Sequence, residues 1–373
     1  MRAARLHLVS EEKRLLRHLR TKGPMPRTEL ALALQVSNSA LTKLSHNLIS
    51  LGLIEEQAST EPPVRGRPTV PLAISPSGGF AAGATVHKGV LEIALVDLAG
   101  GVICLTSEQV GAPDPIEFAN ILEDRINELC VKHKLLGVRF LGIGVGVPGP
   151  AVSRKGDRWH IVKELPGWRD VPCARSWTRR SARRSCWKTT PRRPPWPSTI
   201  RTAKSARPPR SWSFSLGTAI GAGVIEDGHL VKGEFGSAGD IGRLYPSDLP
   251  RPTTMDLLSV LQQAGCPIES VARFDELTAG YEDVIDQWLD RAAVQLEFLV
   301  NSAIGWFDPD EIVISSPLPE SITSRLAARL NALPLRWPSY RERGQVRVSK
   351  LGGSAIAIGA ALLPIHAATA LLA

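Results

Sequence analysis

Ser37, Asn38, Ser39, Thr42 and Lys43 place four small hydrogen-bonding side chains and one ammonium within seven residues. Hydroxyls and amides reach base edges, and an ammonium meets phosphates. Further on, Arg65 and Arg67 flank a glycine in Val64-Arg65-Gly66-Arg67-Pro68. Arginine on a slim, extended backbone suits the narrow, electronegative minor groove. A third stretch is built from glycine. In Leu216-Gly217-Thr218-Ala219-Ile220-Gly221-Ala222-Gly223, the missing side chains let backbone N–H groups approach an anion closely. The same residues also fit a plain β-hairpin with tight turns. Metal chemistry has little support. Cys104, Cys130, Cys173, Cys186 and Cys266 are scattered, with no C-x-x-C pair, which disfavours a cysteine-built zinc site and points to a reducing cytoplasm.

The elements positioning the first cluster follow from periodicity. Residues 11–22 place Leu15, Leu16 and Leu19 on one helical face, and Gly23-Pro24 breaks the pattern. Residues 27–35 carry Leu30, Leu32 and Leu34. Ser37 and Asn38 then offer N-cap oxygens to a third helix with Leu41, Leu44, Leu48 and Leu51 at helical spacing. The short link between the second and third helices is that of a helix-turn-helix. Away from its leucines the third helix presents Ser39, Thr42, Lys43 and His46 to base edges and phosphates. An extended stretch from Leu53-Ile54, and another over 70–74, read as a wing hairpin tipped by Arg65 and Arg67. A three-helix protein-interaction module with solvated charges is the alternative; the basic wing favours DNA.

Composition sets the outer bounds. With 373 residues, 43% hydrophobic and 22% charged, the chain is long enough for two or three domains with their own cores. Its N-terminus lacks the apolar core and cleavage site of a secretory leader, and no run reaches the roughly 18 apolar residues of a membrane span. The net charge of +9 is unevenly spread. Residues 173–212 hold twelve Lys or Arg and no Asp or Glu, so the rest of the chain carries −3. Residues 1–75 carry +5.

From Gly78 onward apolar strands alternate with helices, which implies an α/β architecture. Strands are expected over 79–85, 90–98, 141–147, 213–225 and 311–315. Helices are expected over 116–134, 255–264 and 283–307, with a Gly/Ala-rich helix from Gly352. Several stretches resemble the ROK family of repressors and sugar kinases on the actin-like ATPase fold. They are Leu95-Val96-Asp97-Leu98-Ala99-Gly100, Gly142-Ile143-Gly144-Val145-Gly146-Val147-Pro148-Gly149-Pro150 and Leu165-Pro166-Gly167-Trp168. The glycine stretch at 216–223, Gly239-Asp240-Ile241-Gly242, Asp308-Pro309 and Gly359-Ala360-Ala361 continue the series in order. With its N-terminal unit, the chain resembles the xylose and N-acetylglucosamine repressor branch.

The resemblance implies a sugar site, and this chain departs from the kinase pattern at two points of it. The kinases' first phosphate turn carries an Asp, whereas Gly83-Ala84-Thr85-Val86-His87-Lys88-Gly89 has no carboxylate. Their Gly-Glu-x-Gly-His stretch supplies a sugar-binding Glu and a zinc-binding His; here it reads Gly239-Asp240-Ile241-Gly242-Arg243. Asp240 keeps a carboxylate one methylene shorter, while Arg243 cannot ligate zinc. The cysteines expected after it are missing from 244–254. Gly217, Thr218, Gly221 and Gly223 thereby become a vestigial phosphate loop. Gly149 and Asp240 remain as effector contacts, with no metal and no cofactor implied.

Residues 173–212 stand where the family has its Asn-Asp catalytic and sugar-binding motif. They show neither helical nor strand periodicity and should not pack in the core. One reading is a disordered basic nucleic-acid arm. Another comes from the genetic code. Cys186 through Pro191 can be encoded TGC TGG AAA ACG ACG CCA, and a one-base shift turns this into Leu-Glu-Asn-Asp-Ala. A pair of compensating frameshifts, near Cys173 and near Trp212, accounts for the segment.

The sequence thus predicts three units: a winged helix-turn-helix over 1–75, a first actin-like lobe over 76–212, and a second over 213–373 that includes the C-terminal helix. The expected function is transcriptional regulation of carbohydrate genes, through an operator in double-stranded DNA and a sugar or sugar-phosphate effector. A cytoplasmic homodimer or tetramer away from any membrane is expected, since one recognition helix reads one half-site. An ATP-dependent sugar kinase is the alternative.

Overall fold

The computed structural model describes residues 6–57, 70–87, 89–147, 168, 188–191, 211–226, 229–231, 233–234, 238–246, 248–333 and 344–369. The chain opens with α1 (Ser10–Lys22), β1 (Met25–Pro26), α2 (Arg27–Leu34), α3 (Asn38–Ser50), β2 (Ile54–Glu56) and β3 (Pro71–Ile74). Glu12 folds back to accept the Val9 N–H at the start of α1 (3.0 Å), and Glu11 and Arg20 complement the helix dipole at opposite ends. Gln35 closes α2 in the left-handed region, at φ 57°. Ser37 caps α3 by accepting the Ala40 N–H (3.2 Å). The three strands form one antiparallel sheet ordered β1-β3-β2, with Ile54 facing Ile74 and Glu56 facing Leu72.

Two five-stranded sheets follow. The first contains β4 (Phe80–His87), β5 (Val90–Asp97), β6 (Val102–Gln109), β7 (Phe140–Val147) and β8 (Lys188–Pro191), in the order β6-β5-β4-β7-β8. The second contains β9 (Ser211–Leu216), β10 (Ile220–Glu226), β11 (His229–Leu230), β12 (Glu311–Ser315) and β13 (Gln345–Val348), in the order β11-β10-β9-β12-β13. In chain order within each lobe both read third-second-first-fourth-fifth. Both have an antiparallel hairpin on one side of the central strand and parallel strands on the other. The two lobes therefore repeat one topology. Helix α4 (Pro115–Lys132) covers the first sheet, burying Phe118, Leu122 and Ile126 against Phe80 and Val145. The second is covered by α5 (Thr254–Gln263), α6 (Glu282–Phe307) and α7 (Glu320–Ala332), with Trp288, Leu296, Phe214 and Ile314 in one core.

The last helix, α8 (Ala355–Thr369), belongs to the first lobe in space although it follows the second in sequence. It lies across β4 and β7, where three glycines make room for it. A Cβ on Gly83 would stand 1.9 Å from the Ala357 carbonyl, one on Gly144 1.9 Å from the Ala360 carbonyl, and one on Gly146 2.7 Å from the Ile356 side chain. The helix also departs from the expectation that no run reaches the length of a membrane span, and this contact accounts for its apolar character. Gly352–Thr369 is long and apolar enough to cross a membrane by composition, but it buries Ala357, Ile358, Ala360, Ala361 and Ile365 inside the protein.

Strands β6 and β13, helix α7 and strand β8 are elements that periodicity did not foretell. β8 runs parallel to β7, with Gly144 facing Lys188 and Val147 facing Pro191. A four-residue strand thus occupies the sheet edge inside the stretch expected to stay out of the core.

Candidate nucleic-acid interface

Helix α3 is amphipathic along its length. Leu41, Ser45 and Leu48 are buried on the side that packs against α1, α2 and β2, while Ser37, Asn38, Ser39, Thr42, Lys43 and His46 are exposed. All five residues singled out at 37–43 are exposed: Ser39, Thr42 and Lys43 share the outward face of α3, and Ser37 and Asn38 stand at its N-terminal end. Their hydrogen bonds differ. The Ser37 hydroxyl accepts the Ala40 N–H and lies 3.0 Å from the Ser39 hydroxyl. The Thr42 hydroxyl donates to the Asn38 carbonyl (2.8 Å), so it must rotate to reach a base.

Two contacts from α1 fix the angle of this helix pair. Arg14 donates to the Leu34 carbonyl at the end of α2 (3.0 Å), and buried Glu12 accepts from the Asn47 amide on α3. At the far end, Arg139 from the first lobe donates to the Leu51 carbonyl at the C-cap of α3 (3.0 Å) and to the Gly78 carbonyl (2.5 Å). Gly78 is tightly enclosed: a Cβ there would stand 2.6 Å from the Gly52 carbonyl. Sequence reasoning named none of these positioning residues, because each acts across 20 or more positions of chain. Strands β2 and β3 form the base of the expected wing. Arg65 and Arg67 lie outside the described residues, as does Gly149.

In the second lobe the glycine stretch is a β-hairpin. Gly217 and Thr218 occupy its turn, whereas Gly221 and Gly223 lie within β10 opposite Ser215 and Ser213. Thr254 at the start of α5 ties the turn down, its N–H donating to the Gly217 carbonyl and its hydroxyl to the Leu216 carbonyl (both 2.9 Å). Asp240 accepts from the Arg243 Nε (2.7 Å) on the exposed side of the lobe. It follows Gly239, whose φ of +92° and closeness to the Ala222 carbonyl (2.0 Å from a built Cβ) exclude a side chain. Among the described residues no group of three or more His, Cys, Asp or Glu side chains gathers as a metal site. Buried Glu311 is a carboxyl outside these sites; loss of water pushes its pKa up to about 7, and one of its oxygens has no partner.

The paired five-stranded lobes and their glycine turns match a family model described as the ROK family, over residues 83–366. The chain belongs to the ROK family. It is 28% identical to the uncharacterised protein y4fQ of Sinorhizobium fredii, across 97% of this chain and 92% of that one. It is 24% identical to the DNA-binding transcriptional repressor Mlc of Escherichia coli, over 40% of this chain and 36% of the repressor. A solved ROK family transcriptional regulator, a homologue of that repressor, superposes with a TM-score of 0.67 at 21% identity, over 96% of this chain and 95% of its own. The ROK glucokinase of Streptomyces griseus, solved with glucose and AMPPNP, superposes with a TM-score of 0.56 at 19% identity. That match covers 99% of the glucokinase but 76% of this chain.

Proposed function

We propose that this ROK protein is a DNA-binding transcription regulator of carbohydrate genes, its N-terminal unit a winged helix-turn-helix and its paired lobes a sugar-sensing domain without kinase activity. The observation that carries this reading is the exposed side of α3: a capped helix with a leucine-lined back, Ser39, Thr42 and Lys43 exposed on its outward face, and Ser37 and Asn38 exposed at its N-terminal end. Such a helix docks in the major groove through its N-terminal residues. Arg65 and Arg67 supply the wing contact to the adjacent groove. The extent of the likenesses supports the same reading. The regulator matches along nearly the whole chain, whereas the glucokinase leaves about a quarter of it unmatched.

The effector is a sugar or sugar phosphate held between the lobes, with Gly149 and Asp240 among its contacts. Two copies of the chain engage a two-part operator in the cytoplasm, and the effector shifts the population of DNA-competent pairs. The fold it shares with glucokinases is the one feature favouring a sugar kinase. Against that, transfer to a sugar hydroxyl needs a base and a held Mg–ATP. The first phosphate turn at 83–89 has no carboxylate, and Asp240 is engaged by Arg243. A coupled ATP-turnover assay across hexoses and amino sugars tests the choice. No turnover above background is expected, and steady turnover with any of them overturns the assignment.

A further inference from the structure

The N-terminal unit shares its hydrophobic core with the rest of the molecule. Leu15, Leu30 and Leu48 lie in one cluster with Val96 and Leu141 of the first sheet and Ile358 of α8. Polar contacts then hold the last turn of α8 to α1. Arg20 donates to the Thr369 hydroxyl (2.8 Å) and to the Leu98 carbonyl (3.4 Å), in surroundings dry enough to bring the guanidinium pKa down to about 10. The opposite end of α8 grows from Gly352-Gly353-Ser354, where both lobes meet it. Ser315 at the end of β12 donates to the Gly352 carbonyl (3.4 Å), and Ser354 lies beside the Glu92 carboxyl of β5. Gly352 has a φ of +52° and open space around it, the freedom a pivot needs.

We propose that α8 is the shaft through which the relative position of the two lobes sets the placement of α3, with Arg20 and Arg139 as its positioning residues. The helix spans about 22 Å from pivot to last turn. The Gly83, Gly144 and Gly146 contacts hold it against β4 and β7 along its first turns. Clamped to that sheet, α8 turns with the first lobe as one body about Gly352–Ser354, so a change at the pivot carries Thr369, Arg20 and the back of the DNA-binding unit with it, while Arg139 holds the C-cap of α3 to the same sheet. This inference rests on the DNA-binding reading. Because coupling between sites is reciprocal, DNA held on α3 is felt at Gly352–Ser354, and no effector is needed to detect it.

Hydrogen exchange of the full-length protein, with and without sheared duplex DNA at low salt, tests the proposal. DNA is expected to slow exchange in α3 and also in residues 352–369. Thr369→Val, which removes the acceptor for Arg20, is expected to keep the protection in α3 and cut that at 352–354 at least about fivefold. Thr369→Ser is expected to restore it. Arg139→Gln separates α3 from the sheet independently, should the valine variant fail to fold. Protection confined to α3 in the wild type overturns the coupling and leaves DNA binding standing. Protection that spreads to 352–354 unchanged in Thr369→Val removes Arg20 from its path and overturns the proposal as stated. No protection of α3 overturns DNA binding, and the coupling with it.

Discussion

Lys43 is the one cation among the five residues gathered on α3, and its side chain is exposed. In the proposed complex it meets a phosphate, and each such contact releases about one counterion. Lys43→Ala is expected to weaken binding across all sequences and lower the slope of log K against log salt by about 1, measured by fluorescence anisotropy between low and moderate salt. Ser37 acts on the helix itself. Ser37→Ala loses the cap on the Ala40 N–H and is expected to cost about 1 kcal/mol in urea unfolding. Glu311 has a separate consequence for pH. Its pKa is raised toward about 7 by burial, so the folded state favours the protonated carboxyl. Stability from this group is full below its ordinary value near 4.5 and is lost as pH rises toward 7. Glu311→Gln flattens that loss, gaining on the wild type between pH 5 and pH 8 by up to about 3 kcal/mol. An equal difference at both pH values contradicts the assignment.

Among the elements, those with a strong apolar period were legible from sequence and those supported by neighbours were not. The leucines of α1 and α3 and the buried runs of β4, β5 and β7 announce themselves. Strand β6 is an edge strand that alternates without a strong apolar face, and α7 is held to α6 partly by Arg325 and Arg329 meeting Asp286 and Asp290. Partners 40 residues away leave no local signal. The same holds for the site: side-chain types on α3 could be read directly, whereas Arg139 at its C-cap depends on how two domains meet. Helix α8 shows why sequence order misplaces an element. Its apolar, small-residue face fits a groove that Gly83 and Gly144 create in the other lobe. Gly144→Ala is expected to destabilise the protein by several kcal/mol, within the range for overpacked cores and displaced backbone. Gly305→Ala, on the exposed side of α6 with nothing within 4 Å, is expected to stabilise it by up to about 1 kcal/mol. Paired thermal melts check both.

At the scale of the molecule, the chain joins its three-helix N-terminal unit to two lobes of one topology through a shared core and a helix returning from the far end of the sequence. Residues 173–212 depart from this plan in composition, yet the described residues 188–191 within them form β8, the fifth strand of its sheet. We attribute the basic composition to compensating frameshifts. Resequencing the gene is expected to recover a frame encoding Glu-Asn-Asp at 187–190, and recovery of the present bases shows that the altered frame is genuine. The central claim, that this protein reads DNA, is tested most directly by a genome-fragment binding selection with the full-length protein, with and without candidate sugars. Enrichment of a small set of related duplexes, lost when Lys43 and Ser39 are replaced by alanine, is the predicted result. Recovery of fragments in the proportions of the input contradicts the account.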